Sequence, residues 1–353
     1  MTRKTINLAL QGGGAHGAFT WGVLDALLED DRLEFEGISG TSAGAMNAVV
    51  MADGLLKGGR AGARIALAGF WRAVANSQPL DMSTTSIDGE SVALLPSAKL
   101  MLQWTRYLSP YQLNPLNLNP LREVVSALID FPRLRTECPI KLFIAATQAN
   151  SGRLRLFKTW ELTEDMLLAS ACLPMLQQAI MIDGEPYWDG GYSANPAVFP
   201  LFYECRSHDM LLVLLSPQQY DETPRSVDAI RERTLELAFS ANFLREMRMF
   251  SNVTRYAARS QQERESSALH RLFGKSRDAE PVTLEERLLA TRFHLIEASD
   301  LMSQLGPGTK MAADPSLLTR LHDQGYQQAK SWLAEHFDAI GQRSTVDLAS
   351  MWG

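Results

Sequence analysis

The 353-residue chain has little cysteine: Cys138, Cys172 and Cys205 stand far apart, and no C-x-x-C pair occurs. Three scattered thiols exclude a disulfide framework and offer no zinc or thiol-redox motif, so a reducing compartment, the cytoplasm, is expected. Long apolar runs are also missing. The N-terminal stretch 6–10, behind Arg3 and Lys4, breaks at Gln11-Gly12-Gly13-Gly14, too short for a signal-peptide core or a membrane span. Nor is there a basic excess: 34 Lys and Arg against 40 Asp and Glu leave a net charge of −6, which argues against nucleic acid as a partner for the molecule as a whole. Internal repeats and low-complexity segments are absent. What remains is ordinary and foldable, because 46% hydrophobic and 21% charged residues are too apolar for disorder and sufficient for a core without staples. The length fits two domains or one large one.

Apolar patterning gives a strand over 6–10, a glycine loop, and a helix over 18–28 with Phe19, Val23, Leu24 and Leu27 on one face. The same grammar follows at once, with a brief strand at 35–38, a small-residue turn at 39–44 and a helix opening at 45–51. Alternation of this kind predicts an α/β fold, a mainly parallel central sheet with helices on both faces. Between 76 and 120, five prolines interrupt apolar pieces around Leu94, Leu95, Leu100, Met101, Leu102 and Trp104. Such a stretch reads either as a lid or ligand-site wall or as short helices over the sheet edge. Further on, strands are expected at 141–147 and, after the turn Asn150-Ser151-Gly152, at 153–158 as its antiparallel partner. A helix at 166–172 stops before Pro174, and 210–215 is another strand. Val227, Ile230, Leu237, Ala241 and Leu244 have the spacing of an amphipathic helix over 226–262. A polar break at 274–281, a helix at 284–290, a strand at 293–296 and a strong helix over 315–337 complete the chain.

Gly12, Gly14 and Gly17 satisfy G-x-G-x-x-G between a strand and a helix, the context of a dinucleotide fingerprint, with Glu34 or Glu36 as the acid such a site needs about 20 positions later. The same triglycine equally presents several backbone amides at a helix N-terminus, which is how an oxyanion hole is built. It could also be no more than a turn.

Gly40-Thr41-Ser42-Ala43-Gly44 is a G-x-S-x-G pentapeptide between a short strand and a helix. Glycines on either side of the serine permit the sharp bend that holds a nucleophilic hydroxyl out at the strand end. A serine needs a base. Among His16, His208, His270, His294, His322 and His336, only His208 gives the chain order serine, acid, histidine, with Asp183 or Asp189 between, yet it stands in a polar stretch with no catalytic pattern around it. Asp189 lies in Tyr187-Trp188-Asp189-Gly190-Gly191-Tyr192, where glycines allow close backbone approach and aromatics exclude water. Desolvation there would raise its pKa and make it a competent base; on its own, Asp-Gly-Gly is commonly just a turn.

Taken together, Gly12-Gly13-Gly14-Ala15-His16-Gly17, Gly40-Thr41-Ser42-Ala43-Gly44 and Asp189-Gly190-Gly191 resemble the patatin-like phospholipase family in order and context. The resemblance extends over about 5–215, and Leu321-His322-Asp323-Gln324-Gly325-Tyr326 is similar to the family's last helix. It implies a patatin-like α/β hydrolase architecture and hydrolysis of lipid acyl esters without metal or cofactor. Ser42 and Asp189 would form a histidine-free dyad, with the oxyanion hole at Gly12, Gly13 and Gly14. On this reading 1–216 is the catalytic core, 217–290 a helical insertion, and 291–353 a strand and helix completing the core, with 338–353 a loose tail. Two positions depart from the family. Gln11 stands where Asp is frequent, and His16 stands where a fixed cation is usual, so a charge titrating near neutrality is expected beside the oxyanion hole. The competing readings are a Ser-His-Asp esterase using His208, a dinucleotide-binding module, and a non-catalytic lipid or protein binder.

Between Arg225 and Arg277, eleven Lys or Arg face six Asp or Glu. This excess reads either as a mixed-charge solvated helix or as a means of approaching an anionic lipid surface. A lipid substrate implies transient peripheral contact with a bilayer or micelle.

Overall fold

The computed structural model describes residues 3–77, 83–85, 92–94, 107–217, 223–266, 283–298, 305 and 307–353. In chain order the elements are β1 (Lys4–Leu10), α1 (Gly17–Glu29), β2 (Leu33–Thr41), α2 (Ala43–Asn76), the small hairpin β3 (Ser83–Thr85) and β4 (Val92–Leu94), and three short helices α3 (Pro110–Leu113), α4 (Pro120–Leu128) and α5 (Phe131–Glu137). They continue with β5 (Lys141–Gln148), β6 (Leu154–Lys158), α6 (Glu164–Ser170), β7 (Ile180–Ile182), β8 (Glu185–Asp189), α7 (Phe199–Glu204) and β9 (Asp209–Leu214). The last are α8 (Val227–Ser266), α9 (Leu284–Ala290), β10 (Arg292–Glu297), α10 (Pro315–His336) and α11 (Leu348–Trp352).

Eight strands form one sheet in the order β10-β9-β1-β2-β5-β8-β7, with β6 also on β5. Strands β10, β9, β1, β2 and β5 run parallel, while β6, β8 and β7 are antiparallel to their neighbours. Successive side chains of a strand point to opposite faces, and here both faces are core. Ile6, Leu8, Leu10, Leu211 and Val213 enter one cluster, roofed by α1, α2 and α10; Ala9, Met210, Leu212 and Leu214 enter the other, roofed by α7, α8 and α11. Burial of each large side chain stabilises the fold by about 1.5–3 kcal/mol. Helices α1 and α10 cross in close contact because both carry glycine there. A Cβ on Gly22 would fall 1.9 Å from the His322 carbonyl oxygen, and one on Gly325 would fall 2.1 Å from that of Phe19.

The α/β architecture is the one expected. Strand β2 is longer than its apolar centre implied, because it continues through Ser39-Gly40-Thr41 to the foot of the serine turn. The segment 217–290 is helical over most of its described part, and that part packs into the core, since Phe243, Met247 and Phe250 of α8 are buried in the second cluster. The tail 338–353 is docked rather than loose. Trp352 meets Phe243 edge-on at 5.9 Å, Ile340 is buried, and the Thr345 amide donates to the Phe293 carbonyl at 3.0 Å, adding to the edge of β10. Its few apolar residues are spaced too irregularly for any period to reveal this. Leu95, Leu100, Met101, Leu102 and Trp104, on which the lid reading turned, lie outside the described residues, as does the polar break at 274–281.

Candidate active site

Parallel register brings three turns to one edge of the sheet. Leu10 is level with Gly40 on one side and with Val213 on the other, so the chain leaves β1, β2 and β9 side by side. The glycine loop follows β1 and Ser42 follows β2. Ser42 has φ 54° and ψ −123°, a left-handed conformation that a side chain adopts only under constraint, and it is the residue from which α2 starts. The flanking glycines are compelled by contact. A Cβ on Gly40 would lie 2.7 Å from the Gly44 carbonyl oxygen, and one on Gly44 would lie 2.2 Å from that of Leu10. The Ser42 amide donates to Ser170 Oγ at 3.0 Å, and the residue is half-buried.

Asp189 reaches the same place by a different route. Ala146 and Thr147 of β5 pair with β6 and with β8, so those strands lie on opposite flanks of β5; Phe143, Ile144 and Ala145 likewise pair with both β6 and β2. Strands β2 and β8 therefore occupy the same flank and meet end to end, Thr41 opposite Ala145 and Asp189 opposite Ala146. The incoming strand β8 stands where β2 would continue, and the chain turns away at Ser42. The junction is stitched by the Thr41 hydroxyl, which donates to the Ala194 carbonyl at 2.8 Å.

The Asp189 side chain is completely buried. Its Oδ1 accepts the Gly191 amide at 2.7 Å, and its Oδ2 has no well-formed hydrogen bond. Burial pushes the carboxyl up to about 7, against the opposing pull of the Gly191 amide and of the Ser42 hydroxyl, the side chain near enough to favour its charged form. Helix α8 packs on the turn after Asp189: its Phe239 lies against Tyr192 and would collide with any side chain at Gly191.

The glycine loop abuts the serine. A Cβ on Gly12 would lie 2.8 Å from Ser42 Cβ and 2.7 Å from the Thr41 carbonyl oxygen. The three amides differ in availability. Gly12 donates to Asn195 Oδ1 at 2.7 Å, so its N–H is occupied; Gly13 and Gly14 carry no comparable hydrogen bond among the described residues, as expected of amides that open a helix. Gly12, expected as one of three oxyanion donors, is in this structure the anchored end of the loop. Gln11 completes the anchorage by accepting the Leu215 and Ser216 amides at 2.6 and 2.9 Å. Ser170 and Asn195 are site residues that the sequence did not disclose. Serine and asparagine in turns are commonplace, and only their contacts distinguish them.

His16 is not a titrating charge. It is buried, with Nε2 2.8 Å from Thr309 Oγ1 and Nδ1 unpartnered, and burial, aided by the Lys310 charge, pulls it down to about 3. The imidazole is neutral at physiological pH, contrary to the expectation for this position. His208 immediately precedes β9, at the opposite edge of the sheet from Ser42; six strand residues at about 3.3 Å each put it roughly 20 Å away. It borders a cleft of about 680 Å³ with Glu36, Lys141 and Arg206, remote from the serine. Asp183 is exposed in the turn between β7 and β8. His294 is bound to Asp209, His322 to Asp25 and Asp323, and His336 is near Glu335, while His270 lies outside the described residues. Glu34 and Glu36 sit at the start of β2, the end away from the glycine loop, which removes the acid a dinucleotide site requires. No cluster of His, Cys, Asp or Glu among the described residues could hold a metal ion.

A fold of this kind, with a serine at a strained strand-to-helix turn, has the architecture of an α/β hydrolase. The family profile described as patatin-like phospholipase matches residues 8–202, more than half of the chain, and the protein belongs to that family. Membership makes it a lipid acyl hydrolase by class. Among solved structures it is similar to VipD from Legionella pneumophila at 15% identity and a TM-score of 0.43, covering 95% of this chain and 67% of that one. It is also similar to the structure of the heterodimeric ExoU–SpcU complex from the type III secretion system of Pseudomonas aeruginosa, at 17% identity and a TM-score of 0.27, covering 96% of this chain and 61% of that one. The curated proteins yield no match.

Proposed function

We propose that the protein is a phospholipase A-type serine esterase that hydrolyses lipid acyl esters through a Ser42–Asp189 dyad, acting in the cytoplasm on lipid presented at a membrane or micelle surface. The observation that supports this reading is the end-to-end meeting of β2 and β8, two strands that end at a half-buried serine and at a fully buried aspartate whose carboxyl is raised to about 7. The Ser42 hydroxyl attacks the ester carbonyl carbon while Asp189 takes its proton. The negative charge on the tetrahedral oxygen is met by the Gly13 and Gly14 amides; loss of one such donor costs about 3 kcal/mol of transition-state stabilisation in comparable sites. Collapse expels the alcohol, which receives the proton from Asp189. Water, deprotonated by the same carboxylate, then releases the fatty acid from acyl-Ser42. A base with pKa near the working pH combines a useful ionised fraction with a strong pull on the proton.

The test is release of fatty acids from a mixed lipid extract, followed by mass spectrometry, with wild type, Ser42→Ala and Asp189→Asn. Both variants should be folded and inactive, and a fluorophosphonate probe should label wild type at Ser42. Turnover retained in folded Asp189→Asn would remove the dyad, and absence of labelling would mark the chain as a non-catalytic binder.

A further inference from the structure

Helix α8 is 40 residues long, about 60 Å, and it divides its charges unequally between two sides. Its inner side holds the active-site turn. Phe239 packs on Tyr192, the Asn242 side-chain amide donates to the Tyr192 carbonyl at 2.8 Å, and Glu246 accepts the amides of Val198 and Phe199. The acids between 229 and 262 are Glu232, Glu236 and Glu246; all three are partly buried, and Glu236 is tied to Arg233 and to Lys310. The outer side carries Arg231, Arg245, Arg248, Arg255 and Arg259, all exposed, and no acid over that span. Interleaved with these cations are Leu235, Leu237, Met249, Val253 and Tyr256, with Met249 58% and Tyr256 72% exposed.

The mixed-charge solvated helix accounts less well for this face than a docking surface does. A solvated face alternates both signs, and it gains nothing from exposing five large apolar side chains. A strip of arginines and apolar residues, on a molecule of net charge −6, suits a surface that is anionic at its boundary and apolar just beneath. Arginine is fitted to both layers, because its stem lies along hydrocarbon while its guanidinium stays with phosphate.

We infer that the outer face of α8 between Arg231 and Arg259 is a docking surface for an anionic phospholipid bilayer, along which the helix lies while its inner face holds the turn that follows Asp189. The inference rests on the lipid-hydrolase reading of the site and names where and on what kind of surface the enzyme works. Nucleic acid would use the arginines but leave the apolar residues unexplained. A second copy of the chain would bring two rows of like charge together.

The experiment separates docking from catalysis by using Ser42→Ala as the parent protein. Co-sedimentation is measured with phosphatidylcholine vesicles, with and without phosphatidylglycerol, over a range of salt. The parent should bind the vesicles that contain phosphatidylglycerol, more weakly as salt rises, and leave pure phosphatidylcholine largely unbound. Combined Arg245→Glu, Arg248→Glu and Arg255→Glu should weaken binding by at least about a hundredfold, since three attractions to such a surface are lost and three repulsions added. The same changes in the Ser42-containing enzyme should leave hydrolysis of a soluble short-chain ester unaltered. A second set, Met249→Ser, Val253→Ser and Tyr256→Ser, should weaken binding while preserving its salt dependence. Binding indifferent to both sets, no binding to anionic vesicles at low salt, or a concentration-dependent dimer whose interface is this face would each overturn the inference. Failure of Ser42→Ala to abolish hydrolysis would instead overturn the reading of the site and leave the docking result intact.

Discussion

Substitution of Asp189 by asparagine should inactivate the protein and at the same time stabilise it, and the stabilisation should depend on pH in a defined direction. The carboxyl is completely buried and titrates at about 7, against 3.8 when free. Below 3.8 both folded and unfolded chains hold the proton. Between 3.8 and about 7 only the folded chain does, so the unfolded state binds fewer protons and stability falls as pH rises across that window. Above 7 the full cost of keeping a charge in the core is present, about 4 kcal/mol as an upper figure at 1.36 kcal/mol per tenfold. Asparagine has no such charge and keeps an oxygen for the Gly191 amide. Chemical denaturation should therefore show Asp189→Asn more stable than wild type by up to about 4 kcal/mol at pH 8, with the gap closing towards pH 4. In the proposed mechanism the same ionisation governs turnover. With Asp189 as the base, activity requires the carboxylate, so kcat/KM for a soluble ester should stand about tenfold below its plateau at pH 6 and about a hundredfold below at pH 5. A flat pH–rate profile between 5 and 8, or an Asp189→Asn variant no more stable than wild type at pH 8, would refute the argument that an ionised buried carboxylate is the base.

Three further outcomes follow from the geometry. His208→Ala should retain full kcat/KM, because that imidazole lies at the far edge of the sheet; a large loss in a folded variant would restore the histidine-based esterase. Asn195→Ala releases the Gly12 amide from its 2.7 Å tether and should lower kcat by about 10- to 100-fold with little change in KM, as for other losses of oxyanion-hole geometry. Glu246→Ala leaves the Val198 and Phe199 amides without their acceptor and should destabilise the fold by about 2 kcal/mol, measured at pH 5 to 6. That range is chosen because burial raises Glu246 to about 7, so removing it also relieves a buried charge at higher pH, and the loss should shrink there.

What could be read directly from the residues was whatever the backbone alone demands. The triglycine after β1, the glycines around Ser42 and the Asp-Gly-Gly after β8 occupy places where a Cβ would strike a neighbouring strand or helix, so their chemistry is written locally and survives as motif. Alternation of strand and helix likewise declares a parallel sheet without reference to contacts. Long-range choices were not legible in the same way. Which amide of the triglycine stays available depends on Asn195, more than 180 positions away, and the neutrality of His16 depends on burial and on Lys310, near the other end of the chain. The docked tail and the inward acids of α8 are equally products of packing. Above all, the sequence by itself determined that a serine at a strained turn and an aspartate at a glycine turn would exist. Only the tertiary structure decided that the strands carrying them meet end to end, because β2 and β8 share one flank of β5 and must stop where the other begins.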